Sequence, residues 1–234
     1  MSERGKGTGR LVSRRQVLAG AGGAAMAGAA FGSVPGAAAD PTGTAAALGS
    51  GHVGETATRL VGVIDQKGGG FVAYGFYTLI AGLKQTDLFS AQTDPVSESK
   101  AFFTFHGTAS LVQRAVIGDV FTLAVAGSLS HYYQRSPASS FDNPDSFASG
   151  VKIGASEFAL QDVLVALSAN AGLATLEGRV TQVSSRPFQS GGRTIRFGRA
   201  GLKTQLTAQG LGAARSRTPL VVRLSLAGSQ TVIS

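Results

Sequence analysis

The chain of 234 residues contains no cysteine and no tryptophan, and only 15% of its residues are charged. The lack of cysteine excludes a disulfide framework, a thiolate metal site, a cysteine nucleophile and lipid attachment through an N-terminal cysteine. With 43% hydrophobic residues, the composition is that of a globular protein rather than a disordered or membrane-spanning one. A chain of this length can bury a core by packing alone.

Several catalytic motifs are also missing. There is no Gly-x-Ser-x-Gly elbow, no His-Glu-x-x-His, no phosphate-binding Gly-Lys-Ser/Thr loop and no dinucleotide fingerprint followed by an acidic partner. The chain has three histidines, so we expect neither a hydrolytic or redox metal site nor a cofactor. These absences leave open whether the protein is an enzyme.

The first 39 residues have the features of an export signal. A serine precedes two arginines, and a large apolar pair follows one residue later, in the run Ser13-Arg14-Arg15-Gln16-Val17-Leu18. This run resembles the twin-arginine translocation motif, although Val17 replaces the more usual phenylalanine and Ala19 stands where lysine is common. The resemblance implies that the twin-arginine translocase exports the folded protein, which then acts in the periplasm, the cell envelope or the extracellular space.

A cleavage site is predicted at the end of this segment. Residues 17–31 are apolar but diluted with alanine and glycine, and the small residues Ala37 and Ala39 precede Asp40. The alternatives are a general secretory signal and an uncleaved anchor, which requires about 20 strongly apolar residues. We therefore divide the chain into a signal peptide at 1–39, a flexible Ala/Gly/Thr-rich linker at 40–56 and a single domain at 57–234.

The net charge of +8 is concentrated in the signal. Residues 1–39 contain five basic side chains and one acidic side chain, so only +4 remains for the other 195 residues. Nucleic-acid binding usually requires a concentrated basic surface. We therefore expect no nucleic-acid partner, and we do not expect the mature protein to span a membrane.

The mature chain alternates apolar and polar residues with the period of β-strands. Residues 101–112 place apolar side chains at odd positions and Thr104, His106 and Thr108 at even ones, which predicts a half-buried strand. Residues 173–183 and 220–226 alternate similarly, with Arg223 opposite the apolar face. Further strand-like runs occur at 59–65, 71–83, 116–130 and 149–167, and Gly-rich turns such as 67–70 and 190–192 favour antiparallel hairpins.

Two segments need separate interpretation. Residues 157–172 fit a helix with Ser156 as N-cap, but Asn170-Ala171-Gly172 between apolar runs favours a hairpin. In residues 193–210 the apolar set changes parity, which predicts a β-bulge at 198–201 inside one long strand.

Together these patterns predict an all-β fold, an antiparallel β-barrel of eight or nine strands, with a two-sheet β-sandwich as the alternative. The barrel resembles lipocalins and the allene oxide cyclase and dirigent group in architecture only. No motif is shared with them, so none of their sites is transferred to this chain.

The strongest candidate site is a polar and aromatic run at a predicted strand end. We expect the loop that follows to lie at the barrel mouth, where an Asp across the loop could assist a histidine in acid-base chemistry. The alternative is that the tyrosines close the barrel end and the loop residues form turns. The residues singled out are His131, Tyr132, Tyr133, Arg135 and Asp142.

Other candidates have plain structural alternatives. His106 is either a polar anchor for a ligand in the lumen or a surface residue. The oxygen-rich run Asp142, Asn143 and Asp145 lacks the spacing of a calcium loop and more often forms a turn. The basic residues Arg193, Arg196, Arg199 and Lys203 either meet an anionic cell-wall polymer or lipid headgroups, or form a solvated strand edge.

Three functions remain after these considerations. The first is an exported, non-enzymatic barrel that binds a small apolar or amphipathic molecule or an envelope component. The second is an exported isomerase or cyclase that uses His106 or His131 with a tyrosine or Asp142. The third is a structural surface protein that self-assembles through exposed apolar patches. The oligomeric state is open in all three.

Overall fold

A computed structural model of the protein describes residues 46–91, 95–168, 170–217 and 220–234. The predicted signal motif (Ser13, Arg14, Arg15, Val17, Leu18) and cleavage site (Ala37, Ala39, Asp40) lie outside the described residues.

Eight strands form a closed antiparallel barrel, which confirms the predicted fold class over the sandwich. They are β2 (Thr56–Lys67), β3 (Gly70–Ile80), β4 (Phe103–Ile117), β5 (Val120–Tyr133), β6 (Val151–Ser168), β7 (Ala171–Ser185), β10 (Lys203–Arg217) and β11 (Leu220–Val232). Each barrel strand pairs with the next one along the chain. β7 pairs with β10 because β8 and β9 belong to a different sheet, and the pairing of β11 with β2 closes the ring. The antiparallel pairing of β6 with β7 confirms the predicted hairpin in residues 157–172.

A second sheet of three short strands was not predicted. It contains β1 (Ala46–Leu48), β8 (Pro187–Ser190) and β9 (Arg193–Phe197), in the order β1-β9-β8. The predicted linker 40–56 therefore includes a strand, which pairs in parallel with β9. The remaining elements are helix α1 (Gln85–Leu88) and the 3-10 turns Glu98–Lys100 and Pro144–Ala148.

The predicted bulge at 198–201 is wrong. β9 ends at Phe197, and the chain passes through a turn with positive φ at Gly198 (61°) and Gly201 (84°) before β10 begins. The change of parity marks the passage from the small sheet into the barrel. Sequence alternation alone cannot distinguish an absorbed residue in one strand from a turn between two.

The alternation of side chains fixes which face of each strand lines the barrel. Paired residues of antiparallel strands point to the same side. The odd positions of β4 up to Leu111 and the even positions of β7 face inward, because Phe105 and Ala109 of β4 and Leu176 and Val180 of β7 surround the interior. A register shift after Leu111 turns the even positions of β4 inward beyond it. The predicted apolar faces of residues 101–112, 173–183 and 220–226 are thus confirmed as inward faces.

The two ends of the barrel differ. The hairpins β2-β3, β4-β5, β6-β7 and β10-β11 all turn at one end, which we call the hairpin end. The small sheet, α1 and the longer connections begin at the opposite end. Among the described residues, additional structure closes the interior at the end opposite the hairpin turns.

Candidate functional site

The barrel interior contains an apolar cavity of about 100 Å³. Every barrel strand contributes to its wall, and the lining is aliphatic or aromatic except for Gln66, Asp162 and Gln230. Such a wall makes hydrogen bonds to few groups, so it favours an apolar occupant. The lining reaches Gln66, Phe71 and Val222 near the hairpin turns, so the cavity is closest to solvent at the hairpin end.

Phe105 forms the floor of this cavity. Its ring fits over two inward-facing glycines, because a Cβ at Gly62 or Gly75 would lie 2.8 or 2.7 Å from its Cζ atom. Gly62 and Gly75 are partners in register on β2 and β3. The two glycines therefore allow a large ring to cross the barrel at this level.

An aromatic plug fills the barrel beneath the floor. It consists of Tyr77, His131 and Phe197. The Tyr77 ring lies 5.5 Å from the Phe105 ring above it, and the rings of His131 and Phe197 are 4.7 Å apart between centroids. Phe197 belongs to β9, so the small sheet completes the plug. Burial of these rings closes this end of the barrel.

His131 is held inside the plug by two hydrogen bonds. Its Nδ1 lies 2.7 Å from the hydroxyl of Tyr77, and its Nε2 lies 2.8 Å from Oγ of Ser156. Burial, and next the positive charge of Lys152, lower the pKa of His131 to about 3, while burial raises the pKa of Tyr77. Both groups are therefore neutral at physiological pH, and neither lines the cavity.

The predicted site around His131 is not assembled at a barrel mouth. The loop 134–150 runs over the outer surface of the barrel, where Phe147 contacts Tyr74 with ring centroids 5.4 Å apart. Asp142 is exposed on this loop and acts electrostatically on Arg223 rather than on His131. The expected pairing of His131 with Asp142 is therefore wrong, because they lie on opposite sides of the barrel wall.

The other residues of that run are also apart from the cavity. Tyr133 is buried against Phe103 and Phe188, whose ring centroids lie 5.2 and 5.1 Å from that of Tyr133. It therefore helps to close this end of the barrel. Tyr132 is half-buried and Arg135 is exposed. The structure thus supports the alternative in which the tyrosines are structural.

His106 faces outward from β4 beneath the same loop. Its Nε2 is 4.0 Å from Oδ1 of Asp145 and has no hydrogen-bond partner among the described residues. Burial lowers the pKa of His106, and the charge of Asp145 opposes this shift. His106 is therefore neither a lumen anchor nor a fully exposed surface residue.

An outward-facing trio was not foreseen. The guanidinium of Arg223 donates two hydrogen bonds of 2.7 Å to the carboxylate of Asp65, and the Tyr74 hydroxyl donates to Oδ2 of Asp65 at 2.7 Å. The outward orientation of Arg223 was predicted, but its partners are about 150 residues away in sequence. Because every polar atom in these contacts is paired, the trio is a structural link between β2, β3 and β11.

Asp162 is the one ionisable side chain that the described part of the chain contributes to the cavity wall. It is 7% exposed, and its Oδ1 makes no hydrogen bond in the part of the chain that the structure describes. Burial raises the pKa of Asp162 to about 6, partly offset by hydrogen bonding to the Thr175 backbone. A carboxyl group with an unpaired oxygen in an apolar wall is a perturbed group of the kind found at binding sites.

The sequence contained a signal for Asp162 that was missed. Phe158, Leu160, Asp162 and Leu164 share even parity on β6, so the strand interpretation places a carboxylate within an apolar row. In the competing helix interpretation, Asp162 fell outside the apolar face. The ambiguity of 157–172 therefore concealed the most unusual residue of the cavity.

The predicted basic residues are spread over two sheets. Arg193 and Arg196 belong to β9, Lys203 begins β10, and Arg199 lies in the turn between them. Arg193, Arg199 and Lys203 are exposed, whereas the Nη1 of Arg196 donates to the Ser185 carbonyl at 3.4 Å. The four residues therefore belong to two strands and the turn between them.

Within the described ranges, no group of three or more histidine and acidic side chains is arranged to hold a metal ion. No helix among the same residues is both long and apolar enough to cross a membrane. Comparisons of the chain with protein-family models, curated proteins and solved structures found no match. The geometry of the barrel is therefore the basis for any functional conclusion.

Proposed function

We propose that this protein is an exported, non-enzymatic barrel that binds a small apolar or amphipathic molecule in its interior. The observation that supports the proposal is the apolar cavity between the Phe105 floor and the hairpin end. Apolar pockets with few polar groups are the usual form of small-molecule sites. The N-terminal resemblance to a twin-arginine signal supports a location outside the cytoplasm.

The enzymatic alternative has less support from the geometry. Acid-base catalysis needs titratable groups within reach of the substrate, and the cavity wall contains a single one, Asp162. His131 is neutral and enclosed by the plug, and His106 faces the opposite side of its strand. A bound molecule in the lumen would touch neither histidine.

Filling the cavity tests the binding proposal. The probe is n-butanol, titrated into the protein by isothermal calorimetry. Ala208 lines the cavity, so Ala208→Leu should occupy part of it and weaken n-butanol binding at least about tenfold. Ala227 is exposed on the neighbouring strand, and Ala227→Leu is the matched control that should leave binding unchanged. Equal binding by both variants, or no saturable binding by the native protein, would contradict the proposal.

A second candidate, self-assembly at a surface, is favoured by one observation. Large aliphatic side chains are exposed on the outer face near the hairpin end, and Val165, Leu173 and Leu211 are partners in register across three adjacent strands. Leu211 is 63% exposed. A continuous apolar row of this kind marks a contact surface, and we propose a second copy of the chain as its occupant.

Sedimentation velocity distinguishes this second candidate. A concentration-dependent dimer that Leu173→Glu converts to a monomer would support assembly through the row. Val53 is 72% exposed and lies outside the barrel strands, so Val53→Glu serves as the control. A native protein that stays monomeric at all concentrations would refute this candidate without affecting the cavity proposal.

A further inference from the structure

Asp162 stands among apolar side chains in the middle of the cavity wall. Its partners in register are Leu123 on β5 and Leu176 on β7, and its neighbours on the same face of β6 are Leu160 and Leu164. All four line the cavity with it. The group is therefore surrounded by side chains that cannot form hydrogen bonds.

The carboxylate of Asp162 has a hydrogen bond to the Thr175 backbone, but this bond leaves one of its two oxygens unpaired among the described residues. It is 93% buried, and its Oδ1 accepts no hydrogen bond from any described residue. Isolation of an ionised carboxylate in an apolar environment is costly unless a donor or an opposite charge compensates for it. A carboxylate can only accept hydrogen bonds, so its partner must be a donor.

The cavity limits the shape of the molecule that supplies this donor. Its volume of about 100 Å³ is below the roughly 150 Å³ of an engineered apolar cavity that admits one benzene ring. A short alkyl chain of about four carbons therefore fits this space better than a ring system or a longer chain. The chain would lie against Phe158 and Phe105 while its head remains beside Asp162.

Resting on the proposed function, we propose that Asp162 anchors the ligand and selects molecules with a cationic amine at the end of a single alkyl chain. The ammonium group donates charge-assisted hydrogen bonds to the carboxylate, and the chain fills the apolar lumen. An alkyl alcohol offers a neutral donor only, and an alkyl carboxylate offers a like charge.

Other polar side chains also face the barrel interior, and selection of the ligand by one of them instead of Asp162 is the alternative. Arg114 on β4 is in register with Leu123, next to Asp162 across β5, and its guanidinium lies 5.5 Å from the Phe121 ring centroid. If Arg114 rather than Asp162 governed selection, anionic ligands would be preferred. Gln66 and Gln230 are uncharged and do not favour either sign.

The test compares three probes of equal chain length, n-butylamine, n-butanol and n-butanoate, by isothermal calorimetry at pH 8. Alkylammonium groups are charged at this pH because, like lysine, they have a pKa of about 10.4. The native protein should bind n-butylamine at least about tenfold more tightly than n-butanol, and n-butanoate least. Asp162→Asn, which keeps the side-chain shape, should bring n-butylamine to the affinity of n-butanol.

Glu157→Gln is the matched control. Glu157 is an exposed carboxylate on the outer face of the same strand, so its removal changes the net charge equally and should leave the preference intact. Preference for n-butanoate, or an unchanged n-butylamine preference in Asp162→Asn, would overturn the anchoring role while lumen binding stands. Failure of all three probes to bind in a saturable way would instead refute the proposed function itself.

Discussion

Replacement of Asp162 by asparagine should stabilise the protein at neutral pH. The carboxyl has an ordinary pKa of 3.8 in the unfolded chain, and burial raises it to about 6 in the folded protein. Between these values the folded state binds more protons than the unfolded state, so the native protein loses stability as pH rises through this window. Asparagine does not titrate, so Asp162→Asn should not lose stability in this pH window through residue 162.

The magnitude follows from the size of the shift. At about 1.4 kcal/mol for each pKa unit, the difference in unfolding free energy between Asp162→Asn and the native protein should grow by about 3 kcal/mol from pH 4 to pH 7. For a domain of this size, that corresponds to roughly 6–12 °C in melting temperature. The assay is urea unfolding followed by circular dichroism at half-unit steps of pH.

Glu157→Gln, on the exposed face of the same strand, is the control and should follow the native protein at every pH. The reasoning would be refuted if the curves for Asp162→Asn and the native protein were parallel from pH 4 to pH 7. A stability difference that shrinks with rising pH would mean that the carboxylate is paired in the folded state.

Three further predictions follow from the plug, the floor and the signal. In the native protein, the free energy of unfolding should fall by about 1.4 kcal/mol per pH unit on acidification below pH 6.5, because the folded-state pKa of His131, about 3, lies below the unfolded value. His131→Gln should remove this fall. Urea unfolding as a function of pH measures the slope, and an unchanged slope in the variant would contradict the prediction. Gly75→Ala should cost about 2–4 kcal/mol in urea unfolding, because its Cβ would meet the Val61 carbonyl oxygen and Phe105, whereas Gly69→Ala, with open space around it, should be near neutral. Lysine at both Arg14 and Arg15 should abolish export, measured by fractionation of cells, and normal export would refute the twin-arginine assignment.

Asp162 and His131 affect stability in opposite directions over the same pH range. Between pH 4 and 6 the buried carboxyl destabilises the folded protein as pH rises, while the buried histidine stabilises it. The two slopes are each about 1.4 kcal/mol per unit and partly cancel. The stability of the native protein should therefore depend little on pH through these two groups. Asp162→Asn is needed to reveal the effect of His131, and His131→Gln is needed to reveal the effect of Asp162.

Local alternation made the barrel predictable from the sequence. Phe105, Leu176 and Leu224 were assigned to buried faces because each lies in a run that alternates with polar residues, and all three face the lumen. Three hairpins, β2-β3, β6-β7 and β8-β9, could be predicted because their turns contain glycine or asparagine. These signals involve residues that are close together in the sequence, so they can be recognised without knowledge of the tertiary structure.

The missing parts depend on contacts between distant segments. The plug requires Phe197 of the small sheet to meet His131, and nothing near either residue indicates the other. The loop 134–150 was placed at the mouth because it follows a strand, yet its aromatic residues Phe141 and Phe147 pack on Tyr74 outside the barrel. Which surface a loop covers is decided by tertiary packing, which local pattern does not show.

Methyl-labelled NMR tests the central claim of lumen binding most directly. The measurement is a titration of n-butylamine into protein labelled at leucine and valine methyl groups. Binding in the cavity predicts saturable shifts at Leu160, Leu176 and Leu224 and none at the exposed Leu173 and Leu211. Shifts confined to Leu173 and Leu211, or no saturable shift at all, would contradict the claim.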